Sequence, residues 1–247
     1  MICHLPGDPL HRRAVRCLKT SKPSAKSWFT QIRDICLLYH LPHPLHLLLN
    51  PPSKRSLKKL FKAHIINYWE LKLRGEASLL PSLTSFKPEF HSLVTPHPIY
   101  WTSGSNPYEV AKAIIQGKIL SGRYRTELLS RHWSSNVLGV CQGTSCDQVP
   151  ETLEHILLWC PSYSMIRCQN IQLWLSTQQP QIFSLVQYIL KSSFNEVLQF
   201  ILDASTHSRT IALVQNIGPE ILKLIFHLTR SWCFSIHKKR LSLLGRW

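Results

Sequence analysis

The chain has few acidic side chains. Its 247 residues include 29 Lys and Arg but only 13 Asp and Glu, which leaves a formal net charge of +16 at pH 7. Four aspartates are present, and no two of them are adjacent. Polymerases and endonucleases hold two metal ions with clustered carboxylates. We therefore expect the chain to have no phosphoryl-transfer activity of its own and not to be an enzyme.

Glycine and long apolar runs are also scarce. Nine glycines are too few for an all-β sandwich, which needs frequent tight turns. No run of about 18 uncharged apolar residues occurs, so we expect no membrane span. Pro6, Asp8 and Pro9 stand where a signal peptide would need an apolar core. These absences predict an intracellular protein, nuclear or cytoplasmic and not secreted.

The excess of basic residues indicates an anionic partner. Nucleic acid is the commonest such partner, because releasing its counterions favours basic contacts. An anionic membrane surface is the main alternative, and a soluble protein that is merely basic is another. Together with the motifs described below, the charge favours RNA or DNA as the partner, with no membrane association and no small-molecule substrate.

Helical patterns separated by prolines run through the chain. Hydrophobic residues make up 44% of it, enough for a packed core. We expect a mainly α fold, an irregular helical assembly with one small Cys3His zinc knuckle. The expected segments are a loose N-terminal stretch (1–24), a helical region with a Pro-rich connector (25–104), a zinc-binding domain (105–175) and a C-terminal helical region (176–247).

Two helices have clear end signals. Asn106 can cap a helix in which Pro107 takes the first position, and Glu109 can bond back to the cap. Gly218-Pro219-Glu220 opens the final helix. That helix ends in the basic run 237–240, which the helix dipole favours at a C-terminus.

The strongest motif is a set of three cysteines and one histidine. Cys141, Cys146, His155 and Cys160 have the spacing C-x4-C-x8-H-x4-C. Zn²⁺ binds four such ligands in a tetrahedron, and Cys3His is a common structural set. Four protein ligands leave no position for water, so we expect a structural zinc ion. Gly143 lets the chain turn between the first two cysteines.

The second ligand pair needs an unusual helix end. His155 and Cys160 are five residues apart, so a regular α-helix would direct them differently. Pro161 biases Cys160 away from α geometry, which predicts that the thiolate swings back toward the metal. Pro150 is suited to the first position of the helix that carries His155.

An arginine-rich segment precedes the knuckle. Arg123 and Arg125 flank Tyr124, and Arg131 and Trp133 follow. Arginine binds phosphate through two parallel hydrogen bonds, and aromatic rings stack on unpaired bases. We therefore take these five residues as candidate nucleic-acid contacts. The alternative is a helix start whose arginines only extend along the surface.

The chain resembles the C-terminal region of the polyprotein of non-LTR (LINE-type) retrotransposons, including the reverse-transcriptase zinc-binding domain. The residues that carry the resemblance are Ser121–Thr126, Arg131–Trp133, the knuckle with Glu151–Leu158 and Cys160–Pro161, and also Ser27–Phe29, Tyr68–Ala77 and Trp232–Trp247. It covers the chain from about residue 25 to the end. Such knuckles often have two residues between the first cysteines, where this chain has four.

The resemblance implies a zinc ion at Cys141, Cys146, His155 and Cys160 and binding of element RNA or target DNA. It also implies that the chain is a fragment, beginning at an internal Met, whose partner could be the polymerase part of such a protein. Two alternatives stay open: a translated retrotransposon remnant with no selected function, and an accessory part of a polymerase acting in trans.

Overall fold

A computed structural model of the chain describes residues 9–20, 27–80, 83, 85–92, 95–132 and 138–245. Over these ranges the chain is mainly α, which confirms the expected class. Its helices are α1 (Pro9–Thr20), α2 (Trp28–Leu38), α3 (Pro44–Leu49), α4 (Lys54–Leu79), α5 (Pro98–Trp101), α6 (Pro107–Leu120), α7 (Glu127–Ser130), α8 (Ser164–Leu175), α9 (Pro180–Leu190), α10 (Phe194–Asp203), α11 (Ser208–Ile217) and α12 (Ile221–Leu243). None of these helices combines the length and the apolarity needed to cross a membrane.

The chain divides into two compact units, residues 1–75 and 76–247. In the first unit, α1, α2 and α3 contact one another around a small core that includes Leu18 and Cys36. Ser27 caps the start of helix α2, and its side chain accepts a hydrogen bond from the Thr30 backbone N–H at 3.2 Å. This bond satisfies one of the donors that a helix start leaves unpaired.

Part of the N-terminal stretch is more ordered than its sequence suggested. Residues 1–24 were expected to be loose, but Pro9–Thr20 forms α1. The remainder of that stretch lies outside the described residues. Helix α1 alternates basic residues with a few apolar ones, and Leu18 is buried. One apolar stripe is enough to hold a short helix against its neighbours. The stripe is hard to recognise in the sequence because the segment contains many charged residues.

The second unit is built around α12. This helix contacts α6, α8 and α10 and buries one apolar face that includes Phe226 and Ile236. Trp232 of α12 lies 4.9 Å from Trp174 of α8, between ring centroids. Both indoles are almost wholly buried, and such aromatic pairs contribute strongly to core stability.

The expected segments and the observed units are divided at different places. The boundary between the two units falls inside the expected helical region 25–104. Residues from 105–175 and from 176–247 share one hydrophobic core, to which α6, α8 and α12 all contribute. The two segments share a core because α12 packs against α6. Such a contact between distant parts of the chain cannot be predicted from local sequence patterns.

The start of α6 is as predicted except at one residue. The Asn106 side chain accepts from the Tyr108 N–H at 2.9 Å, and Pro107 takes the first helical position. Glu109 was expected to bond back to the cap. Its carboxylate instead contacts Lys112 Nζ at 2.7 Å and Arg230 Nη2 at 3.4 Å. Ion pairs with two cations are stronger than one bond to a neutral N–H.

Candidate metal centre

A short antiparallel ribbon positions the first two cysteines. The Cys141 N–H donates to the Val149 carbonyl at 2.8 Å, and the Glu151 N–H donates to the Gly139 carbonyl at 3.1 Å. Between the two arms, the Cys146 N–H donates to the Gly143 carbonyl at 2.9 Å. The chain therefore turns back within the four-residue spacer, and the two thiol sulfurs lie within 4.8 Å of each other.

A widened helical turn positions the other two ligands. The Cys160 N–H donates to the His155 carbonyl at 2.7 Å, and residues 155–159 form a π-type turn. A π turn joins residue i to residue i+5, and such turns are frequent at functional sites. A spacing of five then brings His155 and Cys160 to the same face. Cys160 itself has φ −56° and ψ 121°, the non-α conformation predicted from Pro161.

The four side chains meet in one buried cluster. The ligand atoms of Cys141, Cys146, His155 and Cys160 all lie within 4.8 Å of one another. The Cys160 Sγ is 3.6 Å from the Cys141 Sγ and 3.4 Å from the Cys146 Sγ. Metal–sulfur bonds of about 2.3 Å give a tetrahedral edge of about 3.8 Å, so these distances suit a shared metal ion.

The imidazole of His155 supports the same conclusion. Its Nε2 atom is buried and makes no hydrogen bond to the described part of the chain. A buried ring nitrogen without a partner destabilises the fold, because it loses its hydrogen bond to water and forms no other. Burial also lowers the pKa of His155, which favours the neutral ring that a metal requires.

Burial favours the neutral thiol form of the cysteines in the cluster. Burial raises the pKa of the Cys141 thiol to about 12, and the neighbouring Cys160 thiol contributes in the same direction. Burial likewise raises the pKa of Cys146. Thiolates at these positions are therefore unfavourable unless a positive charge lies between them. The cluster could hold a metal ion, and its four ligands would close the coordination shell.

A buried ion-pair network attaches the ribbon to α12. Arg240 donates to the two carboxylate oxygens of Glu151, and its Nη2 also lies 3.5 Å from Glu127 Oε1. All three side chains are buried. Burial alone would lower the pKa of Arg240, but its hydrogen bonds to Glu151 outweigh this effect and raise it. The network keeps the segment that carries the Cys3His cluster against the helical core.

The candidate nucleic-acid contacts separate into exposed and buried residues. Arg123, Arg125 and Arg131 are exposed. Tyr124 is only 5% exposed, because its ring packs against His237 and its hydroxyl lies 3.1 Å from His237 Nδ1. The ring cannot stack on a base in this arrangement, so Tyr124 is not available as a nucleic-acid contact. Trp133 lies outside the described residues.

Sequence reasoning missed the role of Arg240. The basic run 237–240 was assigned to the helix dipole, whereas Arg240 is 4% exposed and Lys238 and Lys239 are exposed. The spacing of apolar residues along the helix indicates that Arg240 is buried. Arg240 falls four residues after Ile236 and seven after Cys233, both of which are buried. An arginine on such an apolar stripe needs a buried carboxylate partner.

Arg167 is a second residue that sequence reasoning missed. Its Nη2 donates to the Cys160 carbonyl at 2.7 Å, which places a guanidinium beside the cluster. Three thiolates and one divalent cation would carry a net charge of −1, and Arg167 would partly balance it.

Comparison of the chain with models of protein families, with curated proteins and with solved structures gave no match.

Proposed function

We propose that the chain is a non-catalytic nucleic-acid-binding module stabilised by one zinc ion at Cys141, Cys146, His155 and Cys160. The observation that carries the proposal is the buried Cys3His cluster, which stands directly after a segment with three exposed arginines. A closed metal site fixes the fold locally, and the exposed guanidiniums beside it are accessible to an anionic partner. Structural zinc and phosphate contacts are combined in many nucleic-acid-binding modules.

Zinc is the metal that this ligand set favours. Soft thiolates select Zn²⁺, Cu⁺ or iron–sulfur clusters, and a mixed set of sulfur and imidazole ligands with tetrahedral spacing suits Zn²⁺. The Gly143 N–H lies 3.4 Å from the Cys141 Sγ, and such a contact stabilises a thiolate. When bound, the ion would hold the ribbon and the π turn together and would perform no chemistry.

The proposed nucleic-acid surface lies around the segment 121–131. The backbone N–H of Arg123 donates to the Lys118 carbonyl at 2.8 Å, and both side chains are exposed. Two carboxylates of the same region, those of Glu127 and Glu151, are buried against Arg240. Their negative charge is therefore directed into the core, and the surface of the segment keeps its basic character for phosphate oxygens. The expected partner is RNA or DNA, bound with weak sequence preference.

The resemblance to LINE-type retrotransposon polyproteins gives this module a biological setting. Under the proposal, the chain contacts element RNA or target DNA as the C-terminal part of such a protein, beside or in trans to its polymerase. The four-residue spacer between the first cysteines is compatible with metal binding here, because the turn brings the Cys141 and Cys146 sulfurs within 4.8 Å of each other. A remnant without selected function remains the alternative outcome.

The test begins with the metal content of the purified, reduced chain. Zinc should be present, and Cys160→Ser should lose one equivalent of it, whereas Cys168→Ser should lose none, because Cys168 is exposed and outside the cluster. Single-stranded RNA and duplex DNA are then titrated against the wild type at several salt concentrations. Affinity that falls steeply with salt supports the module. Zinc without salt-dependent binding would leave a metal-stabilised remnant, and no zinc at all would overturn the proposal.

A further inference from the structure

Two histidines from the connector meet an aspartate from the end of α10. The Nε2 atom of His91 is 2.8 Å from Asp203 Oδ2, and the Nε2 atom of His97 is 3.2 Å from the same oxygen. The two Nε2 atoms are 3.1 Å apart. Three ligand-type atoms therefore form a nearly equilateral triangle. None of these residues belongs to the Cys3His cluster.

The size of the triangle matches one face of a metal coordination shell. Metal–nitrogen and metal–oxygen bonds of about 2.1 Å place neighbouring ligands about 3.0 Å apart in an octahedron and about 3.4 Å apart in a tetrahedron. The three distances fall at or near the octahedral value. Two histidines and one carboxylate on a single face are a ligand set that divalent iron and zinc ions accept.

The side chains are held in this arrangement by their surroundings. Ser205 donates from its backbone N–H and its hydroxyl to Asp203 Oδ1, which leaves Oδ2 for the two histidines. Phe86 stacks on the His91 ring at 5.5 Å between centroids. Ligands fixed by outer hydrogen bonds and by packing bind metals better than mobile ones.

The buried environment of Asp203 favours its carboxylate as a metal ligand. Its side chain is fully buried, and burial alone would raise its pKa, but hydrogen bonds with His91 and His97 outweigh burial and lower the pKa. A fully buried carboxylate oxygen beside two imidazole nitrogens favours a divalent cation, whose charge would balance that of the carboxylate.

An adjacent groove gives the cluster an open side. The groove has a volume of about 440 Å³, and its lining includes both histidines together with Phe90, Tyr100 and Trp101. The His91 and His97 side chains are 11% and 13% exposed, whereas that of Asp203 is fully buried. The carboxylate thus closes the inner side, and the histidines face the groove.

We propose that His91, His97 and Asp203 bind a second divalent transition-metal ion, whose remaining coordination positions open to this groove. Water or an oxygen ligand entering the groove would fill those positions. The site differs from the Cys3His cluster, because it has nitrogen and oxygen ligands and is incompletely enclosed. It does not depend on the proposed nucleic-acid function.

The binding of this second ion competes with a helix cap. The Ile99 N–H donates to His97 Nδ1 at 3.1 Å, so the proton of the neutral ring is on Nε2. Coordination through Nε2 moves the ring proton to Nδ1, and the bond from Ile99 must then give way. Because this bond is lost on metal binding, we expect the metal of the second site to exchange more easily than that of the Cys3His cluster.

The test uses the full-length chain loaded with zinc and dialysed against Co²⁺, with both metals counted by mass spectrometry. Cobalt bound by thiolates has strong charge-transfer absorption, whereas cobalt bound by two histidines and a carboxylate has none. We expect one Co²⁺ without that absorption. His91→Gln and Asp203→Asn should each weaken its binding at least about tenfold, and His132→Gln, which replaces an exposed histidine elsewhere, should leave it unchanged.

The outcomes separate the two metal sites. Cobalt that appears only with the thiolate absorption would report exchange at the Cys3His cluster and would overturn the second site. The second site is also overturned if the wild type takes up no cobalt, or if His91→Gln binds it as well as the wild type. His91 lies at the groove rather than in the core, so this variant decides the question even where Asp203→Asn fails to fold.

Discussion

Arg240 and Glu151 form a two-pronged ion pair, with Nε 3.0 Å and Nη2 2.7 Å from the two carboxylate oxygens. Glu151 ends the ribbon that carries Cys141, and Arg240 lies near the end of α12. The pair therefore joins the segment that carries the Cys3His cluster to the helical core across 89 positions of sequence. Parallel hydrogen bonds between charged groups also fix geometry, which a single contact would not.

Removing Arg240 should destabilise the second unit severely. Arg240→Met leaves Glu127 and Glu151 buried without this cation, and breaking a buried pair in this way costs about 3–5 kcal/mol. Urea unfolding measures the change in free energy. Lys239→Met is the matched control, because Lys239 is the exposed neighbour, and it should change the free energy by less than about 0.5 kcal/mol.

The double variant Arg240→Met/Glu151→Met tests whether the stability lost in Arg240→Met comes from the unpaired Glu151 carboxylate. Replacing both members of a buried pair by apolar side chains is often neutral, so the double variant should recover part of the stability that the single variant loses. Equal losses in Arg240→Met and Lys239→Met would show that the network carries no stability.

Local signals in the sequence predicted much of the helical structure. Asn106 and Pro107 mark the start of α6, and Gly218-Pro219-Glu220 directly precedes α12. Helix α11 was not anticipated. Its Ser208 start has no side-chain cap bond, and its buried residue is Thr210 rather than an apolar one. Tertiary packing stabilises such a helix, and this packing cannot be predicted from local sequence patterns.

The residues of the Cys3His cluster were predictable because metal coordination restricts both residue type and spacing. Cysteines and a histidine at short intervals, next to turn residues, are typical of a zinc site. The π turn between His155 and Cys160 was not predictable, since Pro161 alone accounts only for the second ligand. Nor was the meeting of His91 with Asp203, which are 112 positions apart. Long-range juxtapositions of this kind depend on the whole fold.

The ion pairs of Glu109 should contribute stability that depends on pH. Burial alone would raise the pKa of Glu109, but its contacts with Lys112 and His227 outweigh burial and lower it. A depressed folded-state pKa adds stability above the unfolded value of about 4.3 and loses it as the pH falls through the folded value. The difference in unfolding free energy between wild type and Glu109→Gln should therefore shrink below about pH 5.

Chemical denaturation at pH 7, 5 and 4 measures this difference. Glu220→Gln serves as the control, because the Glu220 side chain is 75% exposed and surface pairs contribute little. Metal loss in acid affects all three proteins alike and cancels in the comparison. A wild-type advantage that stays constant across the pH range would contradict the role given to Glu109.

The turn between the first two cysteines should require Gly143. A Cβ atom there would overlap Ser162 Oγ and would lie 3.3 Å from Cys146 Sγ. Gly143→Ala should therefore weaken metal binding, measured by competition with a chromophoric chelator. Adding Ser162→Ala removes the nearest atom and should restore part of the affinity. If Gly143→Ala binds metal as tightly as the wild type, the turn has more room than this geometry indicates.

Replacing Arg123 and Arg125 should reduce nucleic-acid affinity without selecting among sequences. Each phosphate contact that is lost lowers the slope of log K against log salt by about 0.7 for single strands and about 0.9 for duplex DNA. Arg123→Gln/Arg125→Gln should therefore bind more weakly at low salt and converge with the wild type at high salt. Arg209→Gln on α11 removes one exposed charge elsewhere and should leave the slope nearly unchanged. Because guanidiniums bound to phosphate release counterions, a double variant with the wild-type slope would exclude these two arginines from the interface, whatever affinity it retained.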